Sequence, residues 1–239
     1  WLPDYSLFRA IKKANGDRPW WEWPDIGLRR HDHWALGTFA AVNSAEVGYH
    51  QFVQYEFDQQ WQALKKKIND LGVEIIGDMP IYVARDSADA WARNDLFEMD
   101  NEGNLLRVAG VPPDYFTEDG QLWGNPLYRW DVMKDQGYAW WLDRIGTALT
   151  QVDMLRIDHF RGFESYWAVP AEDTTARNGA WEKGPAMDLF DKVLAAFPNA
   201  PIIAEDLGDI DDDVRAFLDA TGLPGMKVMQ FGFDGYFDG

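Results

Sequence analysis

No cysteine occurs anywhere in the 239 residues, which excludes disulfides, thiolate metal sites and a cysteine nucleophile and suits a reducing cytoplasm. Histidine is scarce, at four residues, and His31-Asp32-His33 finds no third ligand at useful spacing, so no metal centre is anticipated. Positive charge is also short: 22 Lys and Arg stand against 40 Asp and Glu, for a net charge of −18. That balance argues against nucleic acid or an anionic membrane as a partner and leaves a neutral substrate unaffected. No apolar run approaches the roughly 18 residues of a membrane span, and no charged-then-apolar segment opens the sequence. A serine nucleophile elbow, a phosphate-cradling glycine loop and any fixed-period repeat are all missing.

Aromatic residues, by contrast, are abundant, with 13 Trp, 9 Tyr and 14 Phe. Flat indole faces stack on the C–H faces of pyranose rings, so Trp-rich loops often mark sugar sites. Core packing competes, and for any single Trp it is the commoner use. The sequence opens on Trp rather than Met and stops at Phe231-Gly-Phe-Asp-Gly-Tyr-Phe-Asp-Gly239 with no closing helix, as an internal segment of a longer protein would.

Turn formers and several Trp make residues 1–48 irregular or short helical. From Gln51 to Asp70, apolar Phe52, Tyr55, Trp61, Leu64 and Ile68 recur at helical spacing, predicting an amphipathic helix stopped by Gly72, with Lys65–Lys67 on a solvated face. Val73–Ile76 reads as a buried strand ended by Gly77-Asp78. Residues 81–135 are too long for an ordinary connection. Turn signals at Asp100–Gly103 and Glu118–Gly120 predict hairpins, in an inserted region over the functional face. A helix over 137–150, a strand over Met154–Ile157, a loop over 163–185, and a helix near 186–197 follow. A strand at Ile202–Ala204, a helix over 211–220 and a strand over Met226–Phe231 complete the pattern. Strand and helix alternate, which predicts an α/β fold with parallel strands, although about four strands are visible where a closed barrel needs eight.

Two strands run into acids: Met154–Ile157 into Asp158, and Ile202–Ala204 into Glu205. Acids at the carboxyl ends of buried strands are where an α/β barrel keeps its chemistry, and a pair of them is what glycosidic-bond cleavage needs. Arg156 shares a strand face with Asp158, so its cation keeps that carboxylate ionised, as a nucleophile requires; the competing use is a self-neutralising buried pair. Glu205 emerges from an apolar strand, where desolvation favours the protonated form that can protonate a glycosidic oxygen; the competing use of Glu205-Asp206 is to cap the next helix. Adjacent strands favour the short carboxyl separation, about 5–5.5 Å, of a retaining mechanism. Asp78 either holds a sugar hydroxyl, orients Arg156, or simply closes a strand. The Gly/Pro-rich loop pair 108–128 offers Tyr115, Trp123 and Tyr128 as stacking faces. Asp209–Asp213 resembles the start of a calcium loop but has Val214 where the loop Gly belongs, so acidic charge at a helix start is the better account.

These segments together resemble the amylomaltase, or disproportionating-enzyme, family of 4-α-glucanotransferases in the α-amylase-like clan. The resemblance runs from about Gly77 to Phe231. It rests on Gly77–Asp89, Gly110–Phe116, Trp123–Tyr128, Leu155-Arg-Ile-Asp-His-Phe-Arg-Gly-Phe163 and Ala204-Glu-Asp-Leu-Gly208, found in that order. It implies a (β/α)8 barrel with inserted subdomains, acting on α-1,4-glucans without an organic cofactor. Maltooligosaccharides and starch- or glycogen-derived glucans would be donors, and glucose an acceptor. Asp158 becomes the nucleophile and Glu205 the acid/base. Arg156, His159, Asp78, Tyr82, Tyr115, Trp123 and Asn125 become substrate-binding residues, with the Pro-rich loop on the acceptor side. The family's third carboxylate sits in a His-Asp motif downstream of the acid/base strand. The only His-Asp here, His31-Asp32, lies upstream of the nucleophile. Two alternatives stand beside this reading: a retaining α-glucan hydrolase using the same acids, and a glucan-binding fragment without turnover.

Overall fold

A computed structural model describes residues 1–115 and 117–233, with the backbone alone for residues 231 and 232. In chain order it runs α1 (Leu2–Ala14), α2 (Ile26–Arg29), α3 (His33–Val42), α4 (Ser44–Asn69), β1 (Ile76–Met79), α5 (Ala88–Ala92), β2 (Arg107–Val111) and β3 (Gln121–Pro126). It continues with α6 (Trp130–Asp135), α7 (Ala139–Gln151), β4 (Met154–Ile157), β5 (Ser165–Pro170), β6 (Ala180–Lys183), α8 (Met187–Ala196), β7 (Ile202–Ala204) and α9 (Asp212–Thr221). Among the described residues no helix is long and apolar enough to cross a membrane. The chain divides into two units, one of Trp1–Val73, Tyr82–Gly137 and Tyr166–Glu182, the other of Glu74–Ile81, Tyr138–Ser165 and Lys183–Gly239.

The second unit carries a parallel sheet of order β1-β4-β7. Apolar β4 and β7 residues Leu155, Ile157, Ile202 and Ala204 are buried, as short strands covered by helices must be. Beneath them lies an aromatic core. Phe160 stacks on Phe217 of α9 at 5.0 Å, Phe163 meets Trp141 of α7 at 5.0 Å and Phe190 of α8 at 5.2 Å. Each such ring contributes about 1.5–3 kcal/mol by burial, so Phe160 and Phe163 moor the segment that follows β4 to three helices. Arg161, between them, is buried and ion-pairs with Asp211, the N-cap of α9, at 3.4 Å; the acidic run at Asp209–Asp213 therefore serves a helix start and a buried cation.

Three stretches differ from what the sequence alone predicts, two in this unit and the third in the first unit. The first strand begins at Ile76, not Val73, because the Asp153 carboxylate takes the Ile75 N–H at 2.8 Å and ladder pairing starts only at Ile76 opposite Met154. Asp78 consequently lies within the strand. No strand forms over Met226–Phe231: residues 223–228 have no regular structure and Met229–Phe233 is a 3-10 helix. Pro224 accepts the Ala204 N–H at 2.9 Å but has no N–H of its own to extend a ladder. The loop expected over 163–185 instead supplies β5 and β6. Residues 234–239, at the end of the aromatic tail, and Phe116 lie outside the described residues.

The first unit holds α1–α6 and a sheet of order β3-β2-β5-β6, whose β2–β3 and β2–β5 pairs are antiparallel. Its core is where much of the tryptophan goes: Trp20, Trp23 and Trp91 are fully buried with Phe8 and Ile11. His31 pairs with Asp4 at 2.9 Å and meets Trp91 edge-on, while Asp32 caps α3 through the Trp34 and Ala35 N–H groups. Helix α4 is longer than the predicted one, and Phe52, Tyr55 and Leu64 remain about half exposed. Periodicity marks a face suited to burial but does not specify its partner. Both anticipated hairpin turns form. Asp100 accepts the Glu102 and Asn104 N–H groups between bridged Met99 and Leu105, and Asp114–Gly120 connects β2 to β3.

Gly120, at φ +65°, closes the second turn, and a Cβ there would collide with the Val111 carbonyl oxygen. Gly120→Ala is expected to destabilise the protein by more than about 1 kcal/mol, combining the left-handed backbone with the clash. Urea denaturation checks it; an unchanged midpoint would show that the turn can re-form without Gly120.

Candidate active site

Asp158 and Glu205 each stand one residue beyond a strand. Strands β4 and β7 pair with Arg156 opposite Ile203 and Ile157 opposite Ala204, so the two acids follow paired positions at neighbouring carboxyl ends. Main-chain bonds continue past the strands: Asp158 N–H donates to the Met79 carbonyl, Glu205 N–H to Ile157, and Phe160 N–H to Glu205, each at 3.0 Å. The acids therefore sit on an ordered ladder rather than on free loops.

Arg156 organises the acidic group. Its Nη1 donates to Asp78 Oδ1 at 2.6 Å and its Nη2 pairs with Asp158 Oδ1 at 2.7 Å, Asp78 being its cross-strand partner on β1. Burial pulls the guanidinium down, but the hydrogen bond to Asp78 and the charge of Asp158 outweigh it and hold Arg156 above its usual range. Asp158 is 42% exposed and Asp78 61%, so each pair contributes about 1 kcal/mol or less to stability. Their consequence is orientation: the guanidinium engages Asp158 Oδ1 and Asp78 Oδ1 from one side.

Glu205 is held differently. Its Oε2 accepts the His159 N–H at 2.8 Å and its Oε1 the Leu207 N–H at 2.9 Å. Each oxygen keeps a second lone-pair site, so the group can still meet a proton donor or acceptor. Neither Glu205 nor Asp206 caps a helix, since α9 starts at Asp212 with Asp211 as its cap. His159 donates that N–H from a left-handed backbone, φ +52°.

Burial first, then the charge of Arg161, push the His159 imidazole down to about 4, with Asp158 opposing. Its unfolded value is near 6.5, so between those values the unfolded chain binds a proton that the folded chain refuses. The folded state should lose stability as pH falls through 6.5 to 4, by on the order of 3 kcal/mol in full. His159→Asn, which tolerates the left-handed backbone, should flatten that part of the stability-against-pH curve relative to the unsubstituted protein. Superimposable slopes in denaturation at stepped pH would exclude the imidazole as their source.

The structure thus brings Asp78, Arg156, Asp158, His159 and Glu205 together. The remaining predicted residues belong to the first unit. Tyr82 is buried, stacked on Tyr128 at 5.9 Å and edge-on to Trp123 at 6.2 Å; burial pushes its hydroxyl well above the usual tyrosine value. Asn125 donates from Nδ2 to the Val83 carbonyl at 2.9 Å. Trp123 is 37% exposed, with its indole N–H on Gln121, and Tyr115 is almost fully exposed on the Pro-rich loop. Two contributors escaped the sequence reading. Met226 touches Arg156, for which no sequence signal exists, and Arg161 fills the second unit's buried cation site, which the acidic run at 209–213 could have suggested.

Residues 1–238 match the glycoside hydrolase family 77 profile, described as 4-alpha-glucanotransferase. A 4-alpha-glucanotransferase of Thermus thermophilus is 51% identical over 98% of this chain and 47% of its own length. A chloroplastic/amyloplastic 4-alpha-glucanotransferase of Arabidopsis thaliana is 43% identical over 98% of this chain and 41% of its own. An amylomaltase from Streptococcus agalactiae, solved in complex with acarbose, superposes with a TM-score of 0.94 at 43% identity, covering 98% of this chain and 48% of that one. The chain spans about half the length of the curated relatives it matches.

Proposed function

The chain belongs to the 4-alpha-glucanotransferase family, and on that premise we propose that the protein moves α-1,4-glucan segments from a donor maltooligosaccharide to the 4-hydroxyl of an acceptor sugar. The observation that supports this most directly is the acid pair at adjoining strand ends, one acid steered by Arg156 and the other held by two N–H groups.

Asp158 Oδ2 attacks the anomeric carbon of the donor while the C1–O bond breaks and Glu205 delivers its proton to the departing 4-oxygen. The glycosyl–Asp158 ester is then attacked by the acceptor 4-hydroxyl, whose proton returns to Glu205 as the carboxylate leaves. Two inversions give net retention. Arg156 positions the nucleophile and Asp78 supports Arg156. His159, kept neutral by burial, is a substrate-binding residue in this reading. Transfer in place of hydrolysis requires the acceptor to outcompete water.

The parallel β1-β4-β7 sheet belongs, in this reading, to a (β/α)8 barrel whose other strands lie outside residues 1–239. Residues 81–135 form its inserted region, with Tyr115 and Trp123 serving the acceptor side and Tyr82 and Asn125 supporting that loop. Glucans of the maltooligosaccharide and starch or glycogen type are the partners, with glucose as an acceptor. No cofactor enters the chemistry, and the absence of cysteine suits a cytoplasmic setting.

The full-length protein incubated with maltotriose tests this. Glucose plus a ladder of longer maltooligosaccharides, at constant total reducing ends, is the expected result. Rising reducing ends with glucose and maltose alone would mean hydrolysis and would remove the transfer assignment.

A further inference from the structure

Arg156 engages a third partner besides its two carboxylates. Its Nε donates to the sulfur of Met226 at 3.3 Å, so every nitrogen of the guanidinium is occupied. A thioether is a neutral, weak acceptor. It fills the third direction of the fork without drawing the cation away from Asp78 and Asp158, as a third carboxylate would.

Met226 is fixed from below. Its N–H donates to Asp206 Oδ1 at 2.6 Å, and the preceding Pro224 carbonyl accepts the Ala204 N–H at 2.9 Å. Gly225 between them lies directly against the Asp206 carboxylate: a Cβ there would stand 2.5 Å from Oδ2 and 2.7 Å from Oδ1. Asp206 therefore clamps the irregular 224–226 segment onto the end of β7, at the residue next to Glu205. Without the clamp, that segment has few bonds to keep it in place, and the sulfur would not stay on Arg156.

We propose that Asp206 and Met226 are positioning residues for the nucleophile: Asp206 clamps the 224–226 turn, Met226 closes the third side of Arg156, and Arg156 holds Asp158 at one rotamer. The assignment rests on Asp158 being the nucleophile of the reading above. It links the strand that bears the acid/base to the strand that bears the nucleophile, through the 224–226 segment.

The test uses the full-length protein with Asp206→Ala, Asp206→Asn, Met226→Leu and the Asp206→Ala/Met226→Leu double variant, following kcat and KM for maltotriose. Met226→Leu conserves volume and keeps the fold if Asp206→Ala does not. Each of Asp206→Ala and Met226→Leu should lower kcat about 5- to 20-fold with KM changed less than about two-fold, the pattern of an interaction that matters only in the transition state. The double variant should be no slower than about the worse single, because residues acting through one contact are not additive. Asp206→Asn, whose amide oxygen can still accept the Met226 N–H, should recover most of the loss. Multiplying effects in the double variant, an unchanged kcat in Met226→Leu, or a rise confined to KM would each overturn the inference while the wild type still transfers or hydrolyses glucan. A wild type that turns over no glucan would sink the functional reading, and this inference with it.

Discussion

Asp158→Asn in the full-length protein is expected to lower disproportionation of maltotriose by roughly 10³- to 10⁶-fold, the scale on which loss of a covalent nucleophile is felt. The substitution is nearly isosteric, and the amide oxygen can still meet Arg156 Nη2 where Asp158 Oδ1 now lies at 2.7 Å. What it cannot do is form the glycosyl ester. Stability should barely move, because the partly exposed pair contributes about 1 kcal/mol or less. An unaltered melting temperature beside a collapsed kcat therefore separates chemistry from folding. Near-normal turnover with maltotriose would falsify the nucleophile assignment.

Glu205→Gln should lower the same reaction by about 10²- to 10⁴-fold, the usual contribution of a positioned acid/base. Its signature is selective. A maltosyl fluoride donor carries a leaving group that needs no proton, so glycosylation of Asp158 should recover while release, which needs the acceptor deprotonated, stays slow. The covalent glycosyl-enzyme should then accumulate and be visible as a mass increment, which the unsubstituted enzyme would not show. Azide attacks the anomeric carbon without losing a proton, so adding it should restore release as the α-glycosyl azide. Gln keeps only one carbonyl oxygen for the two N–H groups of His159 and Leu207, and a modest loss of stability should accompany the change. An equal loss with fluoride and maltotriose donors, unrelieved by azide, would mean that Glu205 is structural.

Of this molecule's organisation, the amino-acid sequence by itself determined what is local. The strands Met154–Ile157 and Ile202–Ala204 follow from short apolar runs ended by an acid, and α7, α8 and α9 from apolar residues at helical spacing. The turn at Asp100 follows from an Asp side chain able to bond its own neighbours' N–H groups. The Arg156–Asp158 pair was legible because alternate residues of one strand share a face. Tertiary structure decided whatever depends on partners distant along the chain. Asp78 orients Arg156 because β1 pairs with β4 in one register, across 78 positions of sequence. Strand β5 arises inside an apparent loop because Val108 and its neighbours pair with residues around Val169, and β6 adjoins β5 in the same sheet. Tyr82 is buried against Tyr128 although its flanking residues alone do not require it. Met226 reaches Arg156 only through the clamp at Asp206. Periodicity and turn chemistry are set by interactions a few residues long, whereas register, burial and the third side of a guanidinium are set by which surfaces meet once the chain has closed upon itself.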